Sequence, residues 1–435
     1  MNQARDMLRS GDWLTRERVR LVAIALLAAS TLGFLFLVVT AHGAVDLQGR
    51  PLGTDFSNVY AAGTYVLDGN AAAAFDPVQQ FTRERAIFGD TTQFYGWHYP
   101  PFFLFIAAAL AWMPYGLALA VWQAVTLGLY LLVIWAIASP SFRAAGRGDN
   151  LLWLLLALAF PAVLINVGHG QNGFLTAALL GGALVVLDRR PILAGILLGL
   201  MVYKPQYGLM LPVVLAVSGR WRCFASAAVT VALLTIATAL VFGAAAWHAF
   251  AVFSEFTRTV VLEQGNTGWH KIQSIFAWAR MWGAPIPLAY ALQGTAIVAI
   301  AGALAWLWRS AASYPLKAAA LCLGTILATP YSFDYDMMVL APAIAFVAVD
   351  GFARGFGPWH KTALAALWLV PLVARSVAQL SLIPLGVPAM LAMFVLILRR
   401  AQSDVAPQLG FSGMAFSGAS STIAPGASGI SRGRK

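Results

Sequence analysis

Apolar residues run almost unbroken from 21 to about 40. Further apolar segments recur at about 100–113, 115–138, 151–167, 173–187, 192–203, 207–217, 224–242, 287–308, 316–328, 337–349, 364–380 and 383–398. A helix needs roughly 20 such residues to cross a bilayer, so the pattern predicts an all-α polytopic membrane protein with about twelve crossings. Segment 100–113 stands apart: it is short and flanked by Pro100, Pro101 and Pro114. Counted as a full crossing, it would place the later arginine-bearing turns on the wrong sides. It is therefore expected to be a half-crossing or re-entrant element; a break at Phe160–Pro161 is the alternative repair.

The polar intervals are as informative as the apolar ones. The longest, 41–99, carries Asp46, Asp55, Asp68, Asp76, Glu84 and Asp90 against Arg50, Arg83 and Arg85. Within it Phe56, Val59, Tyr60, Gly63, Val66 and Leu67 fall at helical spacing, which predicts a short helix lying on the membrane surface. A second long interval, 243–284, is expected to cover or line a site as amphipathic helices. The chain thus divides into an N-terminal segment 1–20, a membrane domain 21–398, and a tail 399–435 rich in Ser, Gly and Ala that reads as disordered.

Composition agrees: of 435 residues, 60% are hydrophobic and only 10% charged, and the mean hydropathy is +0.75. That excludes a soluble globular domain. The formal net charge of +11 does not indicate a nucleic-acid partner. Its arginines sit in short clusters between apolar runs, at Arg143/Arg147, Arg189/Arg190, Arg220/Arg222, Arg309/Lys317, Arg354/Lys361 and Arg399/Arg400. This is the positive-inside signature of cytoplasmic turns. Arg5, Arg9, Arg16, Arg18 and Arg20 put the N-terminus on the same side, before a first span too long for a signal-peptide core. Cys223 and Cys322 are far apart in apolar surroundings and imply neither a disulfide framework nor a metal site.

Candidate chemistry collects on the opposite side. An acid at a membrane edge is costly unless it reacts or pairs, which makes Asp55 the leading candidate for a general base. With it fall Trp97–Pro101, including His98 and Tyr99; GHGQNG, with His169, Gln171 and Asn172; YKPQ, with Lys204 and Gln206; the interval containing His270 and Lys271; and TPYSFDYD, with Tyr331, Asp334 and Asp336. Each has a plainer alternative. Lys204 could mark a helix break and snorkel to water, Gln171 and Asn172 could cap the next helix, and Trp97–Tyr99 could be an interfacial aromatic belt. Asp334 and Asp336 resemble a metal-binding D-x-D but equally a helix cap with a first-turn acid. No second set of carboxylates completes a hard-cation site, so no metal or other cofactor is expected.

The ordered set GTDFSNVYAAGTYVLDG, Phe75–Pro77, the YPP run with MPYGLALAVW, GHGQNG, GILLGLMVYKPQYGLMLP, KIQSIFAWAR and ATPYSFDYDMMVLAP resembles glycosyltransferase family 87, over roughly residues 16–398. That family groups membrane enzymes of the C-type glycosyltransferase fold, including polyprenol-phosphate-mannose-dependent mannosyltransferases. The resemblance implies transfer of one sugar, mannose or another hexose or pentose, from a polyprenyl-phosphate donor to a lipid or glycan acceptor. Transfer would invert the anomeric centre, on the periplasmic side of the inner membrane. It implies Asp55 as general base, with Lys204, His169 and Tyr331 toward the donor phosphate. Gln171, Asn172, His98, Tyr99, Gln206, Asp334, Asp336, His270 and Lys271 would face sugar or acceptor. TPYSFDYD lacks the histidine common in mycobacterial-type members, so no histidine role carries over to that loop. Two rival classes share the composition. A lipid-linked-sugar flippase or transporter would show repeated halves with broken helices at the midplane, and a non-catalytic envelope-assembly subunit would leave the one-sided polar convergence unexplained.

Overall fold

A computed structural model describes residues 2–145 and 147–410. The short helix α1 (Asn2–Ser10) precedes the long α2 (Arg16–Val39), whose first turn is capped by the Thr15 hydroxyl accepting from Arg18 N–H. The first polar interval holds α3 (Phe56–Leu67) and α4 (Pro77–Phe88), and the apolar segment 100–113 holds α5 (Leu104–Ala111). After it come α6 (Tyr115–Ala145), α7 (Arg147–Leu158), α8 (Pro161–His169), α9 (Gly173–Val186), α10 (Pro191–Leu200), α11 (Leu211–Val217) and α12 (Trp221–Phe256). The last part comprises α13 (Ile275–Met281), α14 (Ile286–Arg309), α15 (Tyr314–Leu327), α16 (Leu340–Arg354), α17 (His360–Ser381) and α18 (Gly386–Gly410). Among the described residues the β-type pairings are three isolated bridges. The protein is an all-α, multi-pass membrane protein.

Among the described residues, six helical stretches are long and apolar enough to cross a bilayer, or up to seven if α7 and α8, bent by 49° at Phe160–Pro161, form one span. The other apolar helices, among them α9 and α15, run only 10–17 residues. At about 1.5 Å per residue the 14-residue α9 is shorter than a hydrocarbon core of about 30 Å. Proline and glycine break what was read as about twelve crossings into these pieces. Both places considered for a break are irregular: 100–113 contains a 3-10 turn and the short α5, and the chain bends between α7 and α8 near Phe160–Pro161.

Helix direction sorts the charges. α9 leaves from Asn172 and α10 returns toward Lys204, so Arg189 and Arg190 turn at the end remote from Asp55. Arg220 pairs there with Asp188, and Arg354 and Arg400 converge on the buried Asp350. α9, α15 and α16 form the core: 78% of the most apolar window of the span containing α16 is buried, against 6% in α2, where Ala23 alone is buried.

Three expectations change. The helix 56–67 does not lie on a surface: α3 is buried along most of its length and packs on α5. A Cβ on Gly63 would come 2.1 Å from the Ala107 carbonyl oxygen, so the glycine is what lets the two backbones meet. Interval 243–284 opens as a continuation of α12 past a kink at Gly243, followed by π-helical and 3-10 turns and α13. The tail begins later than 399, because α18 continues to Gly410; the remainder, 411–435, lies outside the described residues, as does Gly146.

Candidate active site

Asp55 stands at the start of α3 with helical backbone angles and no side-chain capping bond, so its carboxylate is free to face outward. Two contacts stitch this turn to the end of α8: Asp55 N–H donates to the His169 carbonyl at 3.0 Å, and Thr54 Oγ1 and His169 Nδ1 share a hydrogen bond of 2.7 Å. The close approach depends on Gly170. It ends α8 at φ +62°, and a Cβ there would come 2.5 Å from Cβ of Phe56. A left-handed glycine is the usual helix stop; here it also lets the Asp55 turn meet the GHGQNG segment.

Gln171 then reaches the acid. Its Nε2 donates to Asp55 Oδ2 at 2.7 Å, while its Oε1 accepts from Tyr99 O–H at 3.3 Å and from Asn172 N–H at 3.2 Å. The His169 ring lies 4.0 Å from the same carboxylate oxygen. Asp55 keeps a quarter of its side chain exposed, so one face is held by protein and the other is open. The capping expected of Asn172 is done by a different residue: Asn166 Oδ1 accepts from Gly173 N–H at 2.9 Å. Asn172 is buried, and neither polar atom of its side-chain amide has a protein partner among the described residues.

Lys204 follows a 3-10 turn and precedes Pro205. It does not snorkel. Its side chain is 6% exposed, with the ammonium 2.5 Å from Asp336 Oδ1 and over the Tyr335 ring at 5.1 Å. Asp336 also accepts from Phe333 N–H at 2.9 Å; it therefore caps its turn, as one of the two readings expected, and neutralises Lys204. Asp334 accepts from Tyr335 N–H and faces Arg375 of α17 at 3.7 Å. The two carboxylates of the D-x-D spacing thus serve two different cations. Among the described residues no group of three His, Cys, Asp or Glu side chains gathers as a metal site.

The end of the second long interval meets the TPYSFDYD segment. Gln273 N–H donates to the Ser332 carbonyl at 2.7 Å, Gln273 Oε1 accepts from Gly386 N–H at 3.0 Å, and Ile272 bridges Phe333. His270 and Lys271 are thereby set beside Arg375. Burial first, then the Arg375 charge, lowers both of their pKa values, with the Asp55 and Asp334 carboxylates opposing that shift at Lys271. His98 shares a 3.0 Å hydrogen bond with Thr257 and lies against Phe253; burial pulls it down to about 4, so it is a neutral imidazole at pH 7. Burial, reinforced by the charges of Asp55 and Asp336, raises Tyr99 well above its usual value, so its hydroxyl remains a donor. Tyr331 is raised by burial and the same two charges. Gln206 is half-buried.

Two functional candidates were missed from sequence. Arg375 lies inside an apolar helical run, where an ionisable residue is itself a signal. Glu84 looked like one loop acid among six. In the structure it is fully buried, accepting from Tyr95 N–H at 3.0 Å and Gly96 N–H at 3.2 Å, and so anchors the turn that presents Trp97, His98 and Tyr99.

No curated protein and no solved structure matches the chain. The sequence profile of glycosyltransferase family 87 matches residues 97–330, which contain His98, Tyr99, His169, Gln171, Asn172, Lys204, Gln206, His270 and Lys271. Asp55, Tyr331, Asp334, Asp336 and Arg375 lie outside that stretch and are brought to it by the fold. More than half of the chain is matched, and the chain belongs to glycosyltransferase family 87.

Proposed function

We propose that this glycosyltransferase moves one sugar from a polyprenyl-phosphate donor to a lipid or glycan hydroxyl, with inversion and with Asp55 as general base. The observation that carries the reading is the 2.7 Å bond from Gln171 to Asp55. It ties the acid that follows the first long helix to the GHGQNG segment, more than a hundred residues away, and leaves the acid's other face open. In the reaction the acceptor O–H gives its proton to Asp55 as its oxygen attacks the anomeric carbon. The bond from that carbon to the phosphate oxygen breaks, and polyprenyl phosphate leaves with the electron pair. A positioned general base contributes typically 10²–10⁴-fold.

The leaving phosphate needs positive charge where its own charge grows. Lys204 is engaged by Asp336, so the cations better placed for the phosphate are Lys271 and Arg375, with the His169 imidazole and the Tyr331 hydroxyl as hydrogen-bonding groups. Arg375 meets Asp334 only at 3.7 Å, which leaves a planar donor fork suited to phosphate. Tyr99 and Asn172 are the best-supported sugar contacts, because the Asn172 amide is buried without a protein partner and buried amides are normally hydrogen-bonded. The arginine clusters at the opposite end favour a site facing the periplasm across the inner membrane.

The test is a transfer assay with purified full-length protein and radiolabelled polyprenyl-phosphate sugars of several kinds. Transfer from one of them, with inverted configuration in the product and loss in Asp55→Asn, is the expected result. Transfer from nucleotide sugars alone, or an Asp55→Asn variant as active as the parent, would overturn it.

A further inference from the structure

At the end of the bundle remote from Asp55, a cavity of about 1090 Å³ opens between α2, α6, α7, α16 and α17. It exceeds the usual ligand pocket of roughly 300–1,000 Å³. It exists because α2 stands off the bundle, with Ala23 its one buried residue. The walls are aliphatic and aromatic, and the charged residues lining them are Arg16, Arg18 and Lys361, with Trp13 beside them. None of the lining residues is acidic. Local bonds fix this mouth: Trp13 Nε1 donates to Thr362 Oγ1 at 3.1 Å and Arg18 donates to the Trp13 carbonyl at 3.1 Å.

We propose that this groove is a binding site for an anionic phospholipid, its acyl chains between α2 and α16–α17 and its phosphate against Arg18, Lys361 and Arg16. An apolar slot ending in basic side chains and an interfacial tryptophan matches the two halves of such a molecule. The occupant is not the sugar donor positioned for transfer. α2 has 24 residues and at about 1.5 Å each spans about 36 Å, so a phosphate at Arg18 is a full helix length from one at Asp55. Nor is it the chain's own C-terminus, since residues 411–435 carry Arg432, Arg434 and Lys435 and no acid, and the mouth is already basic. The proposal does not depend on which donor the enzyme uses.

The test is native mass spectrometry of the full chain released from nanodiscs of phosphatidylglycerol or of phosphatidylcholine, with sugar transfer followed separately. The wild type should retain phosphatidylglycerol through release and phosphatidylcholine much less. Arg18→Gln/Lys361→Gln, both on solvent-accessible side chains, should lose that preference by roughly 10-fold or more. Ala365→Trp, which fills the slot, should lose bound lipid of either kind. Equal retention of the two lipids by wild type, or a double variant that still prefers phosphatidylglycerol, means ordinary boundary lipid and overturns the proposal. Displacement of the bound lipid by polyprenyl phosphate, one molecule for one, assigns the groove to the donor and also overturns it.

Discussion

Replacing Lys204 with methionine separates a structural cation from a substrate-binding one. The Lys204 and Asp336 side chains are 6% and 2% exposed and 2.5 Å apart, so removing the ammonium leaves a buried carboxylate facing neutral donors, Phe333 N–H and the Tyr207 hydroxyl. Breaking such a pair from one side costs about 3–5 kcal/mol, whereas removing both charges costs far less. Lys204→Met should therefore melt well below wild type in detergent. Asp336→Asn should do the same, since it keeps an acceptor for Phe333 but strands the ammonium. The double variant should recover much of the loss, with a coupling energy of about 0.5–3 kcal/mol. Thermal unfolding followed by tryptophan fluorescence, on all three variants and the parent, reads this directly. A Lys204→Met protein that melts like wild type yet no longer binds a polyprenyl-phosphate donor would refute the reasoning and return Lys204 to the phosphate.

Asp55→Asn should reduce transfer 10²–10⁴-fold with an unchanged melting temperature; residual transfer within tenfold of wild type would remove it as the base. Gln171→Ala deletes a 2.7 Å bond to the Asp55 carboxylate, and bonds to charged groups contribute about 1.5–3 kcal/mol, so turnover should fall at least tenfold while Asp55→Asn/Gln171→Ala is no worse than Asp55→Asn alone. Burial pushes Glu84 from 4.5 up to about 7. A group that holds its proton more tightly when folded stabilises below its unfolded pKa and loses that stability as pH rises through the folded one. Wild type should thus lose about 3 kcal/mol between pH 4.5 and 7, and Glu84→Gln should flatten that slope in melts across the range. Gly63→Ala drives a methyl toward the Ala107 carbonyl and should cost about 1–3 kcal/mol together with activity, because α3 carries Asp55; an unaffected variant would show that α3 and α5 can part freely.

The chain's apolar periodicity determined that this is a bundle of membrane helices, and the one-sidedness of its arginines pointed to candidate chemistry at the other end. Both are local properties: burial in lipid and interaction with the membrane surface act on each segment separately. The residues near Asp55 were also legible, since His169, Gln171 and Lys271 stand out as polar groups among apolar neighbours. Partnership was not. Whether Lys204 is free or neutralised depends on Asp336, 132 residues away, and whether α3 meets lipid or protein depends on Gly63 finding Ala107. Arg375 and Glu84 joined the site only through the packing of α17 and the turn at Tyr95 and Gly96. The charge and hydropathy of a residue are its own, but its exposure and its counter-charge belong to the neighbours that folding supplies, so tertiary structure alone decided that Lys204 is closely paired and Arg375 only loosely.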